Sequence, residues 1–258
     1  MGSASREALA QARTALRAGL DQAAGGELLR AAGRIAESPA LAAALGDASA
    51  SAVAKTQVVE RLFGGISADA RSVLVAAVQA RWSNVDEFVA GVEELGLRAE
   101  GIVNPALSDE LLAVADLVDR SHELQLNLGS KLADPAGKVA LVQRLLSGKT
   151  SASAVAVVSH LVANPRGRRL DVTLRQAART AADQVGSELA TVTVAAPLTA
   201  EQQDRLARAL EQSAGRPVKI TTVVDPELIG GVRIQLADDV IDGSIRARLE
   251  DLRQQLAA

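Results

Sequence analysis

An internal echo limits what this chain can fold into more than any other feature. Glu27-Leu28-Leu29 recurs as Glu110-Leu111-Leu112, an offset of 110 − 27 = 83 residues. The same offset sets Ser38 on Ser121, Leu41 on Leu124, Leu45 on Leu128, Lys55 on Lys138, Val59 on Val142, Arg61 on Arg144, Leu62 on Leu145 and Gly65 on Gly148. Past that glycine, one inserted residue sets Ser67 on Ser151. The matches are apolar positions at helical spacing and helix-ending glycines, so the region reads as a duplicated helical bundle.

The helical pattern runs to about residue 186. Ser5 is expected to cap a helix carrying Leu9, Leu16 and Leu20 on one face. Residues 27–37, 54–63, 67–81 and 85–97 follow, the last with Phe88, Val92 and Leu95 as its apolar stripe. Ser38-Pro39 supplies an N-cap and a first-turn proline, and Asn104-Pro105 breaks the chain. After Gly186 the period changes from helical to alternating. Residues 189–195, 218–224 and 232–236 read as strands, and Asp238-Asp239 turns the last of them into Val240-Ile241. Thr199 with Gln202 makes a capping box for a helix bearing Leu206 and Leu210 and ending at Gly215. Ser244 caps a final helix with Ile245, Leu249, Leu252 and Leu256. The expected fold is mostly α: a duplicated N-terminal helical bundle followed by a small α/β domain, β-α-β-β-α. Its domains are 1–84, an extra helical copy, then 85–186, the second helical copy, and 187–258, the α/β domain.

Composition removes whole classes of function. The 258 residues include no Cys, no Tyr, one Trp, two Phe and two His. Thiol nucleophiles, disulfides and thiolate metal sites are therefore absent. The chain lacks the stacking platforms of single-strand nucleic-acid binders, and its net charge of −3 does not suit a phosphate-backbone binder. The most apolar windows, 73–80 and 152–163, fall short of the ~18–20 residues that cross a bilayer. The first residues have neither an apolar signal region nor a myristoylation pattern, Arg6 standing where Ser or Thr belongs. The chain reads as cytosolic, without direct membrane insertion.

No motif builds a catalytic site. Gly148-Lys149-Thr150 resembles the end of a P-loop, but Gln143 stands where the first glycine is needed and a helix precedes it. His122-Glu123 begins like a zinc-protease helix, but Leu126 takes the place of the second His. His160 falls on an apolar helix face and reads as a satisfied, partly buried imidazole. Arg166, Arg168 and Arg169 form a small basic cluster, read as a solvated face or a dock for an acidic partner. Asp225, Asp238, Asp239 and Asp242 occupy turn positions with no His, Lys or Cys beside them in sequence. Catalytic, cofactor-binding and metal-ligating residues are all assigned as none. The most constrained segments are Asp225-Pro226-Glu227-Leu228-Ile229-Gly230-Gly231 and Asp242-Gly243-Ser244. Proline fixes φ there, and paired glycines permit positive φ or close backbone approach.

Those two segments, within the longer stretches 224–232 and 239–249, resemble the C-terminal signature of the delta subunit of F-type ATP synthases, and Val192-Thr193-Val194-Ala195-Ala196-Pro197-Leu198-Thr199 resembles the family's first strand and helix entry. The mitochondrial counterpart is the oligomycin-sensitivity-conferring protein. Residues 85–186 resemble the family's N-terminal helical domain, and the stretch 161–170 its penultimate helical junction. The extra first copy resembles the extended forms of high-GC Gram-positive bacteria. The resemblance implies a non-catalytic stator subunit, one copy per complex, peripheral on the cytoplasmic face of the plasma membrane. The helical domain would hold N-terminal helices of the alpha subunits, and the C-terminal domain the end of the b subunit. Ion flow then drives ATP synthesis, because the head cannot turn with the rotor. The signature residues carried over as structural or interaction positions are Asp225, Pro226, Leu228, Ile229, Gly230, Gly231, Asp242, Gly243, Ser244, Leu249 and Leu252. A generic helical scaffold or adaptor is the competing reading, and a nucleotide-dependent enzyme a third.

Overall fold

The computed structural model describes residues 1–130, 133–225, 228–236 and 239–245. The chain divides into two compact units, Met1–Gln184 and Val185–Ala258. The first contains α1 (Ser3–Arg13), α2 (Ala24–Glu37), α3 (Pro39–Gly46), α4 (Ala52–Phe63), α5 (Ala68–Gln79), α6 (Val85–Val103), α7 (Leu107–Arg120), α8 (His122–Gly129), α9 (Pro135–Leu146), α10 (Ala152–Ala163) and α11 (Leu170–Gln184). The second contains β1 (Glu188–Val194), α12 (Ala200–Ala214), β2 (Val218–Val224), β3 (Val232–Leu236) and β4 (Asp239–Asp242).

The duplication appears in the caps and polar contacts as well as in the helices. Ser38 accepts from the Leu41 amide at the start of α3, and Ser121 from the Leu124 amide at the start of α8, both at 3.3 Å. Glu27 accepts from the Ser67 amide at 2.8 Å, and Glu110 from the Ser151 amide at 2.9 Å, with the one-residue insertion in place. Lys55 and Lys138, both buried, reach back eight residues to the carbonyls of Asp47 and Ser130. Burial pushes the Lys55 ammonium below its usual range, against the pull of Asp47.

The two copies share α6. It packs on α2, α3, α5 and α1 as the last helix of the first copy, and on α10, α11 and α7 within the second. Leu95 through Gly101 are all buried, charged Arg98 and Glu100 included. A surface helix buries one stripe; this one is enclosed over two turns. Arg98 reaches Glu94 and Asp183, each at 2.8 Å. Burial pushes the Glu100 carboxyl up, against the hydrogen bonds of Ser153 and the Gly26 amide.

One helix start differs from expectation. Ser5 lies inside α1, whose N-cap is Gly2, and Leu16 and Leu20 fall beyond its end at Arg13. The fully buried Ser5 hydroxyl accepts instead from the Ser83 amide at 2.9 Å, tying α1 to the α5–α6 junction. A tertiary partner outcompetes the local cap there.

In the second unit the sheet order is β2-β1-β3-β4, with β1 parallel to β2 and antiparallel to β3, and β3 antiparallel to β4. The hairpin's second arm is thus a fourth strand. Thr199 and Gln202 form the expected capping box, and Gly215 closes α12 at φ +67°. Ala190, Val192, Val194, Leu210, Val218 and Ile234 make the core between helix and sheet. The final helix expected beyond Ser244 falls almost wholly outside the described residues.

Candidate helix-binding groove and the family signature

A groove of about 1000 Å³ runs between α2 of the first copy and α9–α10 of the second. Gly26, Leu29, Gly33 and the arginines Arg30 and Arg34 line one wall; Val139 and Gln143 line the other. The floor is the α10 face Ala152, Val155, Ala156, Ser159 and Ala163. Small residues at helical spacing keep that floor mostly apolar, while Arg30, Arg34, Glu37 and Gln143 make the walls polar. The Ser159 hydroxyl is buried and finds no hydrogen-bond partner among the described residues.

One end of the groove rests on a buried charge cluster. Glu93, on the enclosed helix α6, is 5% exposed. His160 Nε2 lies 3.1 Å from its carboxylate, Arg168 donates at 2.8 and 3.2 Å, and Arg166 pairs with the same group. Burial alone would raise this carboxyl; the His160 and Arg168 hydrogen bonds and the Arg166 charge overcome it and hold it at about 2. Asn164 ties His160 to the loop, its amide 3.4 Å from Nδ1. Arg166 and Arg168 therefore turn inward, where the sequence suggested a solvated face; Arg169 stays out, paired with Asp171. His160 is the satisfied, buried imidazole expected. Glu93 was not singled out from sequence, because its partners lie 67 and more residues away.

In the second unit the two constrained segments meet. Gly230 and Gly231 have φ of +149° and +82°. A Cβ on Gly231 would lie 2.5 Å from the Gly243 carbonyl oxygen and 2.9 Å from Ser244 Cα. The Gly243 amide donates to the Val232 carbonyl at 2.8 Å, and the Ile245 amide to the Gly230 carbonyl at 3.1 Å. Asp242 accepts from the Ser244 amide at 2.9 Å, and those Ser244 hydrogen bonds hold its carboxyl below the usual range. Asp225, just past β2, donates its amide to the Val194 carbonyl at the end of β1, and its own carbonyl accepts from the Leu228 amide. Leu228 is half-buried, and Ile229 is 70% exposed. Pro226, Leu249 and Leu252 lie outside the described residues. The visible signature is thus a pair of turns braced backbone to backbone.

No group of three or more His, Asp or Glu that could hold a metal ion occurs among the described residues. The apparent P-loop end is a helix terminus: Gly148 has φ +72°, and the Lys149 and Thr150 amides both donate to the Leu146 carbonyl, leaving them unavailable to a phosphate. No helix among the described residues is long and apolar enough to cross a membrane.

A braced turn pair at the ends of β3 and β4, in a mixed four-stranded sheet, follows the helical bundles along the chain. Residues 104–256 match the family model for the ATP synthase delta (OSCP) subunit. The ATP synthase subunit delta of Leifsonia xyli subsp. xyli is 46% identical over 264 residues, covering all of both chains. That of Arthrobacter sp. is 36% identical over all of both chains, and that of Streptomyces avermitilis 35% identical over 99% of this chain and 98% of its own. The chain belongs to the ATP synthase delta (OSCP) subunit family and is a non-catalytic subunit of the F-type enzyme.

Proposed function

We propose that the chain is the stator joint of the ATP synthase, one copy per complex, peripheral on the cytoplasmic face of the plasma membrane. Residues 85–186 serve as the family's helical domain and hold N-terminal helices of the alpha subunits. Residues 187–258 hold the C-terminal end of the b subunit, and residues 1–84 are an added copy. Two linked contacts of moderate strength make a durable joint through effective concentration. Ion flow can then drive synthesis because the head is kept from turning.

The observation that carries the reading is the groove over α10. An α-helix with its side chains is about 10–12 Å across, and an apolar floor of Ala152, Val155 and Ala156 accepts the apolar face of one. The test is size analysis of the purified chain with the isolated catalytic head, intact or with the alpha-subunit N-terminal segment clipped off. A one-to-one complex that is lost on clipping, and weakened at least tenfold by Ala156→Arg, supports the reading. Folded partners that fail to associate at micromolar concentration leave the scaffold reading in its place.

A further inference from the structure

The duplication lets one copy serve as a template for the other, and the two differ at one place in their cores. In the first copy the α5–α6 junction carries Trp82 and Phe88, both buried, their rings edge to face at 5.9 Å. The Trp82 indole donates to the Ala77 carbonyl at 2.8 Å, and Phe88 packs against Gly46 at the end of α3. Aligning the helix starts Val85 and Leu170 sets Phe88 on Thr173. Counting from the ends of α5 and α10 sets Trp82 on Arg166, and that side chain turns away to Glu93. Gly46 corresponds to Gly129, where a Cβ would meet nothing within 4 Å.

The second copy therefore has a hole where the first has two rings. The hole is a half-open pocket of about 410 Å³ with an apolar wall of Val118, Leu128, Leu161 and Leu170 beside Gly129 and Thr173, and a polar rim that includes Gln125, Arg168 and Asp171. Apolar cavities of about 150 Å³ already bind benzene. This one is larger and opens beside the exposed guanidinium of Arg169, 79% accessible in its side chain. Its pair with Asp171 lies at the surface and is worth little, so an incoming carboxylate can compete for it.

We propose that this cavity is a recognition pocket for an aromatic side chain, Trp or Phe, presented with an acidic neighbour by a segment of a partner protein. The first copy is self-filled; the second takes the ring from outside. The pocket lies on the α7–α8 side of the second copy, lined by residues other than those of the groove over α10, and the proposal does not depend on the function assigned to that groove.

Two measurements test it. In the first, indole is titrated into the full chain while backbone amide resonances are followed. Saturable shifts at Leu128, Leu161 and Thr173 are expected. Thr173→Phe, which restores the first copy's ring, and Gly129→Leu, which fills the open side without a strained backbone, should each weaken indole binding at least tenfold. No saturation at millimolar indole, or undiminished binding to whichever filled variant folds, overturns the proposal. In the second, a photo-crosslinking residue replaces Gln125 at the rim of the cavity in the intact assembly, and the crosslinked peptide is sequenced. A peptide containing Trp or Phe next to Asp or Glu, whose replacement by Ala abolishes the crosslink, is expected. A crosslinked peptide without an aromatic residue, or no crosslink, refutes the partner.

Discussion

Glu93→Gln tests the buried charge cluster most directly. The carboxyl is held at about 2 against an ordinary 4.5, so its charged form is favoured in the folded state by about 3 kcal/mol. Because the folded value is depressed, this stabilisation is fully present above pH 4.5 and is lost as pH falls toward 2. Glutamine keeps the shape and can still accept from His160 Nε2. It leaves Arg166 and Arg168 without a counter-charge, but their side chains are 26% and 38% exposed and regain water, which keeps the loss near 3 kcal/mol. The assay is denaturant unfolding of the full chain followed by Trp82 fluorescence, since Trp82 and Glu93 lie in one compact unit. At pH 7 the variant should be less stable by about 3 kcal/mol. Between pH 4.5 and 2 the gap should close, because protonation turns the wild-type side chain into a neutral hydrogen-bonding group like glutamine. A difference under about 1 kcal/mol at pH 7, or a gap that persists at pH 2, refutes the account.

Gly231→Ala forces a Cβ into the Gly243 carbonyl at a positive φ; about 3 kcal/mol should be lost from the second unit, read by hydrogen exchange of the β1 and β3 amides. Gly91→Ala places a methyl 2.0 Å from the Trp82 ring, so the ring must leave its site; a red-shifted emission and a loss of roughly 1–3 kcal/mol are expected. Lys55→Ala and Lys138→Ala each remove a buried stem and a donor to a carbonyl, so both should destabilise by a similar ~1–2 kcal/mol in chemical denaturation. Deleting residues 1–83 bares the α6 face that packs on α2; the remaining chain should self-associate in analytical ultracentrifugation, whereas the full chain should not.

What sequence revealed and what it hid follow one division. Caps and periodicities are local, so Ser38 caps its helix as expected and the Thr199–Gln202 box is found; Ser67, Ser121 and Ser151, set out in sequence only as repeat matches, cap theirs too. The strain-bearing glycines were legible too, since paired Gly after a turn proline needs a backbone reason; that Gly231 presses on Gly243 could not be read, because contact across two turns has no spacing. Nothing in the local pattern marks Glu93, Arg98 and Glu100 for the interior, yet all three are buried. Their partners Ser153 and His160 come from α10, Arg168 from the loop after it and Asp183 from α11, beyond any local pattern. Ser5 fails for the same reason: its cap chemistry is real, but the amide it serves is 78 residues away.

The shared helix explains why the copies differ where they do. In a chain of independent repeats each copy keeps its own first and last helix, and a linker between them permits a hinge. Here α6 is last for one copy and first for the next, so no linker separates them and both sides of one helix must be satisfied at once. The requirement shows in its sequence: Gly91 admits Trp82, a Cβ on Gly96 would lie 3.0 Å from Leu29, and one on Gly101 3.2 Å from Ala181. The last helix of the second copy, α11, has no third copy to serve and is built instead from Ala177, Ala178, Ala181 and Ala182. Phe88 and Trp82 fill the core beside the helix that must hold two bundles together. Their absence beside α11 leaves the 410 Å³ cavity, so the sequence change that ends the repeat is also the one that opens the pocket.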